Sequence, residues 1–365
     1  MHISELETPA LLIDLDRMER NLCRVAQYAK EHDLRLRPHT KTHKIPAVGK
    51  RQVELGAAGL TVAKVGEAEV MLASGTPDLL VAYPIVGSSK LGRLMEVARR
   101  TRVTVALDSL VAARQLADAA RAAQVTIGVL VEVDVGMRRC GVAAGQELVD
   151  LAKGVARLAP MLALEGVACY PGHIRSAAEE NRRLIDQLGA DIAQIVEDFR
   201  RADLPLKIFS AGSTPLVFQS HQFAGVNEIR PGTYVFNDIN CVRSGMATLD
   251  DCAATVLTTV VSTARKGFLM LDGGSKTFSS DRLAGSSEVS FGYVAEAPEA
   301  VIYAQNEEHG HVDVRKCDRD FQVGDRLRVI PNHVCVAMNL HEQVYGIRGE
   351  QVELVWKVEG RGKLQ

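Results

Sequence analysis

Residues 103–135 read VTVALDSLVAARQLADAARAAQVTIGVLVEVDV. The two ends, VTVALD (103–108) and TIGVLVEVDV (126–135), are continuous apolar runs of strand length. The segment between them has apolar residues at helical spacing. A strand that is apolar along its whole length is typical of a parallel sheet covered by helices. This stretch therefore predicts one strand–helix–strand unit of an α/β protein.

The same alternation of strand and helix runs through the first two thirds of the chain. The eight strand candidates lie at 34–39, 59–65, 78–85, 103–108, 126–135, 164–170, 206–212 and 228–236. Eight such units in roughly 230 residues match the size of a (β/α)₈ TIM-type barrel. The alternative is an open doubly wound sheet, which is disfavoured because no G-x-G-x-x-G follows the first strand.

The residue composition and the spacing of apolar residues change near residue 245. β-Branched residues then alternate with polar ones, Gly, Asp and Asn separate the runs, and long helical segments are missing. This pattern predicts a second, mainly antiparallel β domain. ALLIDL (10–15) is a ninth strand candidate that we group with it. We expect the barrel to span 16–240, and the β domain to span 241–365 together with 1–15.

Composition excludes several classes of partner. The chain has 365 residues, of which 24% are charged, and a formal net charge of −2, so neither nucleic-acid binding nor membrane-surface binding is indicated. No apolar run approaches the roughly 20 residues that span a bilayer, and residues 1–16 do not resemble a signal peptide. Seven scattered cysteines fit reduced thiols. We therefore expect a cytoplasmic protein.

A basic octet, RPHTKTHK (37–44), follows the first predicted barrel strand. Barrel active sites lie at the carboxyl ends of the strands, where this octet is expected. Arg37, Lys44 and two histidines near Lys41 would repel a second positive charge and favour the neutral amine that a Schiff-base lysine requires. The alternative interpretation is a solvated basic turn.

Two further segments predict a phosphate site. SAGST (210–214) follows the seventh predicted strand, and RPGTY (230–234) lies on the eighth. Barrels often bind phosphate with the loops after these two strands, through backbone N–H groups and hydroxyls. Gly212 and Gly232 would let the backbone approach the ligand closely. The alternative is a helix N-cap followed by an ordinary turn.

Polar residues follow two more strands. EVDVGMRRCG (132–141) after strand five offers an arginine that could hold a phenolate oxygen, although a basic surface turn is the alternative. In YPGH after strand six, Tyr170 supplies a ring for stacking and His173 a titratable base. The alternative interpretation of this segment is a capped loop with a solvated histidine. A lysine nucleophile, a phosphate cradle and these groups at one barrel mouth together indicate pyridoxal phosphate.

The β domain contains a candidate metal pair, His333 and Cys335, in the strand-like run NHVC (332–335). Residues i and i+2 share one face of a strand, and imidazole with thiolate suits Zn²⁺. Two protein ligands leave coordination positions for water or substrate, which is typical of a catalytic metal. Glu307, Glu308, His309 and His311 in EEHGH could add a third ligand or a base, but an exposed acidic turn is the favoured interpretation.

The chain resembles the pyridoxal-phosphate enzymes of the alanine racemase-like fold (fold type III), and among them the D-threonine aldolase and D-serine dehydratase family. The resemblance covers nearly the whole chain. It is carried by TPALLIDLDRMERN, RPHTKTHK, DVGMRRCG, YPGH, AGSTP, EIRPGTYVFND, EEHGH and IPNHVCVAMNL. RPHTKTHK is the most diagnostic of these segments, and the resemblance implies that its Lys41 binds the cofactor covalently.

The resemblance also implies roles for other residues. Arg139 is expected near the phenolate oxygen of the cofactor, and Arg230 beside its pyridine nitrogen. Lys41, His173 and Tyr170 are the expected catalytic residues. The expected cofactor-binding residues are Lys41, Arg139, Tyr170, Gly212, Ser213, Thr214, Arg230, Gly232, Thr233 and Tyr234.

The implied reaction is a lyase reaction on D-configured 3-hydroxy amino acids, with a divalent metal on His333 and Cys335. Zn²⁺ is favoured, and Mn²⁺ and Mg²⁺ are alternatives. His-x-Cys resembles the dehydratase-like members, which release a 2-oxo acid and ammonia. The alternatives are an aldolase that releases glycine and an aldehyde, an amino-acid racemase, and a non-catalytic cofactor-binding protein. A homodimer with shared active sites is also implied.

Overall fold

The computed structural model of the protein describes residues 1–284 and 287–365. The chain forms two compact units. The β unit consists of Met1–Leu22, Thr42–Lys44 and Thr233–Arg361, and the barrel unit consists of Cys23–Lys41, Ile45–Gly232 and Gly362–Gln365.

The helices and strands are numbered in chain order. The strands are β1 (Ala10–Asp14), β2 (Arg35–Leu36), β3 (Leu60–Val62), β4 (Asp78–Val81), β5 (Arg102–Leu107), β6 (Ile127–Val133), β7 (Leu162–Cys169), β8 (Ile208–Ala211), β9 (Glu228–Ile229), β10 (Ala254–Ser262), β11 (Phe268–Leu271), β12 (Tyr293–Val294), β13 (Val301–Gln305), β14 (Gly310–Asp313), β15 (Arg326–Ile330), β16 (Gln343–Arg348) and β17 (Gln351–Lys357). The helices are α1 (Leu15–Glu31), α2 (Pro46–Glu54), α3 (Val65–Met71), α4 (Ser88–Ala98), α5 (Leu110–Ala123), α6 (Gln146–Ala156), α7 (Arg182–Arg201), α8 (Ile239–Arg243), α9 (Ser275–Phe278) and α10 (Val334–Leu340).

Strands β2 to β9 form the parallel sheet of the barrel unit. Neighbours in this sheet are neighbours in the chain, and β9 returns to pair with β2. His39, beyond the end of β2, bridges to Thr61 of β3, and the Thr61 N–H donates to the Pro38 carbonyl at 2.8 Å. These contacts link the two ends of the sheet. The predicted eight-stranded barrel is therefore confirmed, and the open-sheet alternative is wrong.

The stretch 103–135 folds as its pattern predicts, as β5, α5 and β6. All seven residues of β6 are buried. Helix α5 buries one stripe of small and apolar side chains. Ser109 caps the start of this helix, since its hydroxyl accepts from the Val111 N–H. Burying a leucine-sized side chain stabilises a fold by about 1.5–3 kcal/mol. Burial on both faces of the strand thus explains why every residue except Glu132 is apolar or glycine.

Some barrel strands are shorter than predicted. The candidate at 228–236 gives only β9, Glu228–Ile229, and the chain then enters a 3₁₀ turn at Thr233–Val235. Pro231 has no N–H to donate to a neighbouring strand, so that strand pairing ends before it. The turn directs this part of the chain out of the barrel unit.

The β unit is built on a nine-stranded, mainly antiparallel sheet in the order β11-β14-β13-β12-β15-β10-β1-β16-β17. The N-terminal strand β1 lies inside this sheet, antiparallel to β10 and parallel to β16. One side of the sheet buries a cluster of apolar side chains, namely Ile3, Leu6, Ala10, Leu12, Leu257 and Ile347. Residues 1–284 and 287–365 contain no helix that is long and apolar enough to cross a membrane.

Candidate active site

Two predicted basic residues of the barrel unit, Lys41 and Arg139, lie near the ring of a third predicted residue, Tyr170. Lys41 lies between β2 and α2, Tyr170 directly follows β7, and Arg139 lies between β6 and α6. The Lys41 Nζ atom is 5.9 Å from the centre of the Tyr170 ring, and the Arg139 guanidinium carbon is 4.8 Å from it. Both distances lie within cation–π range. The structure therefore brings together Lys41, which is the predicted Schiff-base amine, Arg139, which is expected near the phenolate oxygen of the cofactor, and the predicted stacking ring of Tyr170.

His173 presents an unused nitrogen in the same unit. Its Nδ1 atom is buried and has no hydrogen-bond partner among residues 1–284 and 287–365. The imidazole packs against Gly136, where an added Cβ would lie 3.1 Å from Cε1 and Nε2. Gly136 has φ of +112°, a conformation that favours glycine. The imidazole is thus held by shape, and Nδ1 remains able to bond a ligand.

The two predicted phosphate loops contact each other. The Gly232 N–H donates to Thr214 Oγ1 at 3.3 Å. Ser213 is 3% exposed, and its hydroxyl has no hydrogen-bond partner in the described part of the chain. Gly212 has φ of +97°, and an added Cβ there would approach other atoms no closer than 3.4 Å. A buried, unpartnered hydroxyl between two glycine-containing loops fits a phosphate group.

Arg230 is fixed by buried acceptors. Its guanidinium donates to Ser210 Oγ at 2.5 Å and to the Cys169 carbonyl oxygen at 2.9 Å. Burial lowers the pKa of Arg230 from its ordinary value. Together with the Lys41 amine and the Ser213 hydroxyl, this cation fits the donor groups that pyridoxal phosphate requires.

One basic residue of the octet, Arg37, is buried and paired with carboxylates. Arg37 is 1% exposed, its Nε lies 2.9 Å from Glu228 Oε2, and its Nη1 lies 2.7 Å from Asp78 Oδ1. The prediction that Arg37 repels a positive charge on Lys41 is therefore wrong, because two carboxylates compensate it. Both acids are distant in sequence from the octet, so no local pattern reveals this pairing.

In the β unit, His333 and Cys335 lie at a helix start and not on a strand. His333 precedes α10, and Cys335 belongs to its first turn. The Asp238 carboxylate accepts from the Val334 N–H at 3.0 Å, which caps the helix. The prediction of a shared strand face is thus wrong. The two side chains still meet, and the hydrogen bond from the imidazole to Cys335 raises the pKa of His333 to about 10.

Three side chains that the sequence analysis did not assign to the metal pair surround it. Asp281 Oδ2 lies 2.7 Å from His333 Nδ1. The Cys335 Sγ atom lies 3.1 Å from Thr42 Oγ1 and 3.7 Å from Thr233 Oγ1. Imidazole and thiol in contact are a donor set that suits Zn²⁺, and a carboxylate on the remaining ring nitrogen is the usual partner of a metal-binding histidine. The residues present therefore fit a divalent metal.

The remaining predicted residues of the β unit are placed as follows. Thr233 directs its hydroxyl towards Cys335, and Tyr234 is 2% exposed. In the segment EEHGH, Glu308 pairs with Lys276 at 2.6 Å, and His311 Nε2 lies 2.8 Å from Asn306 Oδ1. Over the two described ranges, no group of three or more His, Cys, Asp or Glu side chains could hold a metal ion. The segment therefore adds no third protein ligand.

The chain is similar to known families along most of its length. Residues 13–239 match the alanine racemase N-terminal domain, and residues 253–347 match the putative serine dehydratase domain. The 3-hydroxy-D-aspartate aldolase of Paracoccus denitrificans is 32% identical over 100% of this chain and 94% of its own. The crystal structure of D-threonine aldolase from Filomicrobium marinum has a TM-score of 0.91 at 32% identity, covering 99% of this chain and 98% of that one.

A third relative is the D-threo-3-hydroxyaspartate dehydratase of Delftia sp., 34% identical over 90% of this chain and 91% of its own. Two of its solved variants, each with a TM-score of 0.88, carry alanine in place of a histidine and of a cysteine two positions later. The cysteine variant is in the metal-free form. From these domain matches and full-length similarities we conclude that the chain belongs to the D-threonine aldolase and D-serine dehydratase family of pyridoxal-phosphate lyases, which has the alanine racemase-like fold.

Proposed function

We propose that this lyase eliminates water from D-configured 3-hydroxy amino acids, as a dehydratase does, and that hydrolysis of the released enamine then gives a 2-oxo acid and ammonia. The observation that carries the proposal is the contact between His333 and Cys335 at i, i+2 spacing. The solved dehydratase variants replace a histidine and a cysteine at the same spacing, and one of them is metal-free. This supports a metal-binding His-x-Cys pair of the dehydratase type.

Each unit would hold one of the two implied groups. Lys41 and the loops that contain Ser213 and Gly232 would bind pyridoxal phosphate, and His333 with Cys335 would bind a divalent metal, which we propose to be Zn²⁺. When bound, the cofactor supplies an electron sink for the Cα carbanion, and the metal supplies a Lewis acid for the 3-hydroxyl.

The protein's own residues then divide the work of proton transfer and orientation. The Lys41 amine accepts the Cα proton of the substrate. Arg139 and Arg230 would offer their positive charges to the bound ring, and they are held in this structure by the Tyr170 ring and by Ser210, respectively. The Ser213 hydroxyl and the backbone near Gly232 anchor the phosphate and prevent the ring from rotating.

His173 favours a second candidate function. Its buried Nδ1 atom has no partner in the described part of the chain. A base in this position could take the proton of the 3-hydroxyl, and cleavage of the Cα–Cβ bond would then give glycine and an aldehyde. The D-threonine aldolase and 3-hydroxy-D-aspartate aldolase relatives are named for such cleavage. We therefore retain the aldolase reaction as the alternative.

The compartment and the oligomeric state of the protein are also proposed. The seven cysteines, which all lie in the described ranges, form no disulfide with one another, and this supports a reducing compartment such as the cytoplasm. The homodimer with shared active sites rests on the family resemblance.

The products of three substrates separate the candidate functions. We expect the purified holoenzyme to release a 2-oxo acid and ammonia from D-serine, D-threonine or D-threo-3-hydroxyaspartate. Cys335→Ala should lose this activity, whereas the matched control Cys317→Ala, another partly exposed thiol of the β unit, should keep it. Glycine plus an aldehyde would replace the proposal by the aldolase alternative. Racemised substrate, or a bound cofactor without turnover, would contradict both lyase reactions.

A further inference from the structure

We propose that Asp281 positions the metal ligand His333, and that the buried amide of Asn332 holds Asp281 in place. The inference rests on the proposed function in one respect, which is that His333 and Cys335 bind the metal. Asp281 would not touch the metal or the substrate, so it is a positioning residue.

The contact between Asp281 and His333 is direct. The Asp281 Oδ2 atom lies 2.7 Å from His333 Nδ1, and the two side chains are 43% and 40% exposed. A carboxylate at this distance accepts the Nδ1 proton, so Nε2 is the nitrogen that would bind the metal once it has lost its own proton. A metal-binding histidine commonly donates its second N–H to a carboxylate in this way. The contact therefore selects the tautomer and the ring orientation that metal binding requires.

A second, independent observation concerns the backbone that carries the Asp281 carboxylate. Asn332 is 2% exposed, and its amide donates to the backbone oxygens of Asp281 at 3.1 Å and of Ser290 at 2.6 Å. The backbone carbonyl oxygen of Asn332 in turn accepts from the side-chain amide of Asn240 at 2.7 Å. Because Asn332 directly precedes His333, one buried side chain ties the backbone of Asp281 to the backbone of the metal ligand.

The orientation of the His333 ring should strongly affect metal affinity, because only two protein ligands are proposed. If the His333 ring rotates freely, half of the protein's contacts with the metal are lost. Asp281 also adds a negative charge close to the thiolate of Cys335, and these two charges would balance those of a divalent cation. We therefore expect both the shape and the charge of Asp281 to strengthen metal binding.

Two substitutions separate shape from charge. Asp281→Asn keeps an oxygen that can accept from Nδ1 but removes the charge, and Asp281→Ala removes both. The holoenzyme is stripped of metal by a chelator, dialysed and titrated with Zn²⁺ against a chromophoric competitor. We expect the Kd for Zn²⁺ to rise about 10- to 100-fold in Asp281→Ala and less in Asp281→Asn, in line with other partners of metal-binding histidines.

The control removes a carboxylate seven positions after Asp281 in the sequence. Glu288→Gln deletes a charge that pairs with Arg243 at 2.9 Å, and the wild-type Kd should be retained. Asn332→Ala should weaken metal binding by an amount between those of the two Asp281 variants, with the circular-dichroism melting curve as the check on folding. A wild-type Kd in Asp281→Ala would overturn this inference and leave the proposed function intact. Failure of the wild-type protein to bind Zn²⁺, Mn²⁺ or Mg²⁺ would overturn both.

Discussion

At the scale of single residues, four side chains of the barrel unit form a continuous line of hydrogen bonds. Arg230 donates to Ser210, Ser210 donates to Glu228 at 2.6 Å, and Arg37 donates to the other oxygen of Glu228 at 2.9 Å. Glu228 and Ser210 are fully buried. Buried charges are tolerated only when they are paired and hydrogen-bonded, and removal of one partner leaves the other uncompensated. The direction of Arg230 is therefore set in part by Ser210 and, through Ser210, by the buried pair of Glu228 and Arg37.

The contact of Gly136 with His173 gives a prediction at the same scale. Gly136→Ala places a methyl group 3.1 Å from the imidazole at φ of +112°, so the ring must move. We expect turnover of D-3-hydroxy amino acids to fall at least tenfold. The control is Gly145→Ala, which imposes similar backbone strain at φ of +89° but meets no atom within 4 Å. Equal activities of the two variants would show that the position of His173 is unimportant.

At the scale of helices and strands, local pattern and distant contacts account for different parts of the fold. The longer barrel strands are predictable because burial on both faces makes them predominantly apolar, as in β6, where Glu132 is the charged exception. Helix α10 is not predictable from its own residues, since its start depends on Asp238, which lies 96 positions away. The alternation in NHVC therefore predicts a strand where the structure has a helix.

A pair of stacked histidines gives a pH prediction at this scale. His32, just after α1, stacks on His221 of the 3₁₀ helix Thr214–Gln222, with ring centroids 3.9 Å apart. Burial and the neighbouring His32 lower the pKa of His221. Between the lowered pKa and the ordinary value of about 6.5, the unfolded chain binds more protons than the folded one. The free energy of unfolding should therefore be highest above pH 6.5 and fall as the pH falls below it.

Urea unfolding at pH 8.0, 6.5 and 5.0 measures this effect. In His32→Asn the second imidazole charge is removed, and the decline in the free energy of unfolding below pH 6.5 should become shallower. His309→Asn, at an exposed position, should leave the wild-type profile unchanged. A decline of the same size in His32→Asn and in the wild-type protein would refute the role of the stacked pair.

At the scale of the whole molecule, the basic octet marks a point where the chain passes from one unit to the other. Lys41 belongs to the barrel unit, and the next three residues, Thr42–Lys44, belong to the β unit. Within the β unit, Lys44 Nζ donates to Asn339 Oδ1 at 2.7 Å, and Thr42 contacts Cys335. Sequence reasoning finds the residues of both candidate sites, because each lies in a dense local motif. It misses Asp281 and Thr42, which only the folded chain brings to the metal pair.

The metal and the cofactor are proposed to bind residues of different units, and this gives the last prediction. The proposed metal ligands lie in the β unit, and the lysine that would bind the cofactor lies in the barrel unit. A chelator should therefore abolish release of the 2-oxo acid, and Zn²⁺ should restore it. Borohydride should still fix the cofactor to Lys41 in the chelated protein, and Lys41→Ala should not be labelled. Full activity in excess chelator would exclude a catalytic metal, and loss of the lysine adduct together with the metal would show that the two groups bind as one.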